Sequence, residues 1–240
     1  MRKILAPVLI AGSLAACGVA GTEEPDQRLR MANAALATGN PGAAIGLAGS
    51  VAQDNRGDAA AQLRHAEMLA AAERWAEAAQ AYQRAVQADG TSRAARLGLG
   101  RARLRGGDVE GAEAAFRDAI AALPAEAGAQ SGLGVALDMQ GRHEEAQAAY
   151  RAALMLNPTH AGARTNLALS LTLSGHAPEA VRMLETVARA PQATPRQRHN
   201  LAVAYAASGD ASRAAEMMAP ELGDGSRDAA AAWRAALAGS

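Results

Sequence analysis

A period of 34 residues runs through this chain and leaves little freedom in how it can fold. Gly107-Asp108, Gly141-Arg142, Gly175-His176 and Gly209-Asp210 recur at that interval, as do Ala78, Ala112, Ala146, Ala180 and Ala214. Tyr82, Phe116, Tyr150, Leu184 and Met218 keep the same step, and so do Leu99, Leu133, Leu167 and Leu201. Pro124 and Pro158 stand one interval apart. Self-similarity at such a period means stacked units, because a single unit cannot bury its own apolar face. About a quarter of the chain is alanine, far above ordinary usage, and aromatics make up only 2%. Alanine is the best helix former and lets helix axes approach closely. Each unit is therefore expected to be two helices of about 12 residues, each about 18 Å long. The glycines at 107, 141, 175 and 209 fall where a first helix ends and φ > 0 is wanted. Asp108, Asp210 and Asn40 stand where a second helix needs an N-cap, with Pro41 at the first helical position.

These residues resemble the tetratricopeptide (TPR) family pattern of Leu-Gly, Ala, aromatic, Ala and Pro. Unit 127–160 fits best, with Leu133, Gly134, Leu137, Gly141, Ala146, Tyr150, Ala153 and Pro158. Unit 93–126 carries Leu99, Gly100, Gly107, Ala112, Phe116, Ala119 and Pro124. Unit 59–92 has His65-Ala66 at the Leu-Gly site but matches later through Trp75, Ala78, Tyr82 and Ala85. Units 161–194 and 195–228 keep the phase without the final proline. Residues 25–58 form a degenerate TPR-like unit with Gly39, Ala44 and Val51, and 229–240 a capping helix and tail with Trp233 and Leu237. The resemblance implies an all-α TPR superhelical solenoid of about five to six helix-turn-helix repeats plus a C-terminal capping helix.

The N-terminus carries a different kind of information. Arg2 and Lys3 precede the apolar run Ile4 to Ala16, which is too short to span a bilayer but suits a signal peptide. The run ends in Leu14-Ala15-Ala16-Cys17, which resembles a bacterial lipobox. That resemblance implies cleavage after residue 16, a diacylglyceryl thioether on Cys17, and a lipidated tether over 17–24. Gly18 in place of aspartate points to the outer membrane and to a periplasm-facing protein. Cys17 is the single cysteine, so an intramolecular disulfide or a Cys-rich zinc site is excluded.

Catalytic chemistry finds no foothold. The histidines at 65, 143, 160, 176 and 199 form no metal-binding pair on one helical face. His143-Glu144-Glu145 lies at the start of a second helix and is expected to be a solvated face. Gly98-Leu99-Gly100 and Gly132-Leu133-Gly134 follow no strand, so they are packing positions and not a dinucleotide fingerprint. There is no nucleophile elbow and no phosphate loop. Formal net charge is zero, and Lys3 is the only lysine, so a nucleic-acid partner is not expected. Neither an enzyme, a metal nor a cofactor is expected.

What the family offers is a groove lined by the first helices of successive units. Mapped onto this chain, its groove positions give Arg64, Glu67, Arg101, Arg105, Asp138, Asn166, Thr172, Arg196, His199 and Asn200. Asn166 and Asn200 hold the same place in consecutive units and suit an extended peptide backbone. A clamp for C-terminal carboxylates, known in some TPR domains, is matched at two of five positions. Residues 166–175, 193–202 and 205–210 further resemble the TadD family of tight-adherence (Flp-type) pilus assembly lipoproteins. That implies an outer-membrane scaffold whose protein partners include a secretin or another pilus-machinery component, with membrane contact through the lipid. The alternative is a general envelope TPR adaptor for outer-membrane protein assembly or polysaccharide export.

Overall fold

The computed structural model describes residues 25–190, 192–222 and 225–238. The expected signal peptide 1–16, the expected lipidation site Cys17 and the expected tether 17–24 lie outside the described residues. Thirteen helices and no strand are found among them. They alternate as first (A) and second (B) helices of six units. The A helices are α1 (Pro25–Ala37), α3 (Ala59–Ala71), α5 (Arg93–Arg105), α7 (Ala127–Met139), α9 (Ala161–Leu173) and α11 (Pro195–Ala207). The B helices are α2 (Pro41–Asp54), α4 (Trp75–Ala88), α6 (Val109–Ala122), α8 (His143–Leu156), α10 (Ala177–Ala188) and α12 (Ala211–Leu222). The final helix, α13 (Ser226–Ala238), begins three residues before the expected cap. No helix among the described residues is long and apolar enough to cross a membrane.

Local chemistry sets the helix ends. Residue 15 of every unit has positive φ: Gly39, Gly107, Gly141, Gly175 and Gly209 at 74–89°, and Glu73 at 58°. The residue after it caps the B helix, as expected for Asn40, Asp108 and Asp210, whose side-chain oxygens accept from Ala43, Gly111 and Arg213 N–H. A second row of caps opens the A helices through Asp58, Ser92, Glu126, His160 and Thr194, one per unit.

Packing follows the same step. The Tyr82 ring lies against Gly98 of the next unit. Phe116 is held between Gly100 of its own unit and Gly132 of the next, and Tyr150 lies on Gly134. A Cβ at any of these glycines would overlap the ring, so the glycines make room for the aromatic. Each helix packs on its neighbours in sequence. The A helices from α3 to α11 also touch one another, whereas no two B helices pack to that extent. Elements that approach every second neighbour lie on the inside of a curved stack, so the A helices form the concave face.

Candidate binding groove

The residues expected to line the groove lie on α3, α5, α7, α9 and α11, the A helices that form the concave face. At its centre the structure rearranges several expectations. Asp138 is not offered to a ligand. Its Oδ2 accepts from the Tyr150 hydroxyl at 2.9 Å, and its Oδ1 accepts from Ser170 Oγ at 2.7 Å and meets His143 Nδ1 at 2.8 Å. A buried phenol must find an acceptor, and Asp138 supplies it. Burial first, then the Asp138 charge and this hydrogen bond, push the Tyr150 phenol far up, so it remains a donor. The same network corrects the expectation for His143, which is tied to Asp138 and is not a freely solvated side chain. Three helices, α7, α8 and α9, are joined by these four residues.

Thr172 and Asn200 are also corrected. Thr172 is 5% exposed, and its hydroxyl donates to the Ala168 carbonyl one turn back at 2.8 Å. Asn200 is 6% exposed and faces the junction between units, at the place Gly98 and Gly132 hold beneath their aromatic rings. At that junction Leu184 stands where the three preceding units have Tyr82, Phe116 and Tyr150. Asn200, Leu184, Val187, Ala188 and Thr165 line a cavity of about 40 Å³, enough for one or two waters. Asn200 Nδ2 is buried there with no partner among the described residues. Asn166, in the matching place one unit earlier, is half-buried.

The remaining candidates are exposed. Glu67 and Arg101, on neighbouring A helices, both act on the Tyr82 hydroxyl. Burial raises the Tyr82 pKa, Glu67 raises it further and Arg101 opposes the rise. Arg101 also borders a depression lined by Leu97, Leu156, Asn157 and His160. The Arg105 guanidinium lies 5.9 Å from the centre of the Trp75 ring. Arg64 and Arg196 are exposed at the two ends of the row and form no ion pair among the described residues. His199 meets Trp233 of α13 edge-on, with ring centres 4.9 Å apart, so the capping helix closes on the last A helix.

Sequence reasoning missed two features. Met139 and Leu173, the last residues of α7 and α9, are 57% and 56% exposed. They share position 13 with Arg105, so the period itself could have revealed the row. Glu113 is buried in α6 and binds Arg142 and Gln140 of the next unit. Its carboxyl is held below the usual range, first by the Gln140 hydrogen bond, against desolvation, and then by Arg142 and Arg117.

Comparisons with known proteins agree with this architecture. A tetratricopeptide-repeat family model matches residues 29–93 and 97–161, more than half the chain, and a second matches 137–199. No curated protein matches the sequence. A solved tetratricopeptide repeat protein from Parabacteroides merdae is 14% identical, with a TM-score of 0.70 over 82% of this chain and 78% of that one. Pseudomonas aeruginosa pilF is 15% identical, with a TM-score of 0.65 over 85% and 95%. YrrB, described as a TPR protein with an unusual peptide-binding site, is 20% identical, with a TM-score of 0.59 over 76% and 96%. At these identities the likeness is one of fold.

Proposed function

The chain belongs to the tetratricopeptide-repeat family, and from that premise we propose that it is an outer-membrane-anchored scaffold that binds partner proteins during assembly of a tight-adherence (Flp-type) pilus secretion system. The observation that carries the binding role is the concave A-helix face, on which Arg64 and Arg196 are exposed and form no ion pair among the described residues. YrrB, of like fold, is described by its peptide-binding site, which fits a peptide-binding use of such a face. Anchoring is supported by Leu14-Ala15-Ala16-Cys17. Each buried CH₂ of an acyl chain adds about 0.8 kcal/mol, and two chains hold a protein stably at a bilayer. The pilus role is supported by the resemblance of residues 166–175, 193–202 and 205–210 to TadD lipoproteins.

Affinity capture of the tagged protein from detergent-solubilised envelopes tests this function. Wild type should recover a secretin or another pilus component, and Arg101→Glu/Arg105→Glu should lose it. Recovery of outer-membrane-assembly or polysaccharide-export machinery instead would replace the pilus assignment with the general adaptor. Cys17→Ser should move the protein from the membrane pellet to the supernatant, and unchanged sedimentation would remove the anchor.

A further inference from the structure

The 34-residue step changes the electrostatics of one corner of the stack. In the first unit, Arg28 of α1 donates to Ser50 and Asp54 of α2, at 3.2 and 2.8 Å. One period on, Gln62, Arg84 and Ala88 take the places of Arg28, Ser50 and Asp54. The arginine has changed helices and its carboxylate has gone. Gln62 is 2% exposed; it donates to the Ala52 carbonyl at 2.6 Å and accepts from Arg84 Nε at 3.1 Å. A buried amide thus holds the Arg84 side chain by one nitrogen. The two terminal nitrogens of its fork have no hydrogen bond among the described residues.

Arg84 borders an open cavity of about 590 Å³ between α2, α3 and α4, a size that small ligands occupy. Arg56, just beyond the end of α2, and His65 of α3 line it too. The rest of its wall is three glutamines, two alanines and two glycines, with no carboxylate. None of these residues is among those expected to line the groove. Neither Arg56 nor Arg84 forms an ion pair among the described residues. The carboxylates of these elements are engaged elsewhere: Asp54 by Arg28, Asp58 by the Ala60 and Ala61 N–H groups, and Glu77 by Arg74. His65 is half-buried without a hydrogen-bond partner among the described residues, and the Arg84 and Arg74 charges act on it against that of Glu77.

We propose that this cavity is a phosphate site, in which Arg56 and Arg84 hold a phosphate group and His65 is a third donor. The planar guanidinium fork matches two phosphate oxygens. A phosphate monoester carries nearly two negative charges at pH 7 and three terminal oxygens, which suits two arginines and a histidine better than a carboxylate does. The small residues leave room for the group esterified to the phosphate, and Gln53 and Gln87 offer it amide donors and acceptors. The ligand is a phosphate ester with a small polar remainder, either free or as the headgroup of an anionic lipid. The site lies apart from the groove, so it goes beyond the scaffold role and does not depend on it.

The test uses the full chain in a non-ionic detergent, in phosphate-free buffer at pH 7, with isotope-labelled histidine. The His65 ring signal is identified by its loss in His65→Asn. Titration with inorganic phosphate or glycerol 3-phosphate should shift that signal saturably, and acetate should bind at least tenfold more weakly. Bound phosphate should also raise the pH at which His65 takes up its proton, because a neighbouring anion favours the charged ring. Arg84→Gln and Arg56→Gln should each weaken binding at least tenfold. Arg56→Gln leaves the Gln62 bonds alone, so it tests the site even where Arg84→Gln disturbs them, and far-UV circular dichroism should show unchanged helix content. Saturation by glycerol 3-phosphate assigns a free ester. Saturation only by micelles doped with phosphatidylglycerol assigns a headgroup. The proposal is overturned if neither phosphate nor these micelles shift the signal, if acetate binds equally well, or if both arginine variants respond like wild type.

Discussion

At the scale of single residues, the period is legible because each repeated position answers one steric demand. Position 15 needs φ > 0, which glycine adopts freely and other residues adopt at a cost of about 1–2 kcal/mol. Five units use glycine there, and unit 59–92 uses Glu73 at φ 58°. That exception falls in a unit whose Leu-Gly site is also replaced, by His65-Ala66, and it shows that the backbone follows the array even where the residue disagrees. Glu73→Gly should therefore stabilise the protein by about 1 kcal/mol, after allowing for the greater freedom glycine gives the unfolded chain. Urea denaturation would show this as a higher midpoint at an unchanged slope. An unchanged or lower midpoint would mean that Glu73 is not strained. By contrast, the roles of Asp138 and Asn200 could not be read from spacing. Asp138 is used up by residues 5, 12 and 32 positions away, and a helical wheel does not show what meets across three helices.

At the scale of elements, the lesson lies in how a poor match is accommodated. His65 holds the place in α3 where other units have leucine, and it packs over Gly49 of α2. A Cβ on Gly49 would stand 3.1 Å from His65 Nε2. The glycine makes room for the ring, so the α2–α3 contact is a matched pair that one unit's sequence alone does not reveal. Burial, reinforced by the Arg84 charge, lowers the His65 pKa; Glu77 opposes this and Arg74 adds slightly to it. The folded protein thus favours neutral His65, whereas the unfolded chain takes up a proton near pH 6.5. Stability from this residue is complete above pH 6.5 and is lost as pH falls from there through the lowered folded value. Thermal midpoints measured from pH 7.5 down to 5 should fall, and His65→Gln, which cannot titrate, should flatten that fall. An equal slope in the variant would assign the pH dependence to other groups.

At the scale of the whole molecule, the buried residues separate into two large clusters joined by a small one. The N-terminal cluster runs from Ala32 to Ala115 and the C-terminal one from Ala127 to Ala230. Between them stand Leu97, Ala112, Phe116, Ala119, Ala129 and Ala136. Phe116 is the largest of these and is 1% exposed, fitted against glycines of two units. In a stack where each unit touches only its neighbours, cooperativity depends on the weakest junction. Phe116→Ala should remove about 3–5 kcal/mol at that junction and let the halves unfold separately. The chain carries its own reporters, because Trp75 lies in the N-terminal half and Trp233 in the C-terminal cap. With Trp75→Phe and Trp233→Phe as single-tryptophan backgrounds, fluorescence in urea should give one shared midpoint while Phe116 is present. In the Phe116→Ala background the two midpoints should diverge. If they stay together, the small alanine contacts of α5, α6 and α7 suffice to couple the array, and the aromatic serves only its own unit.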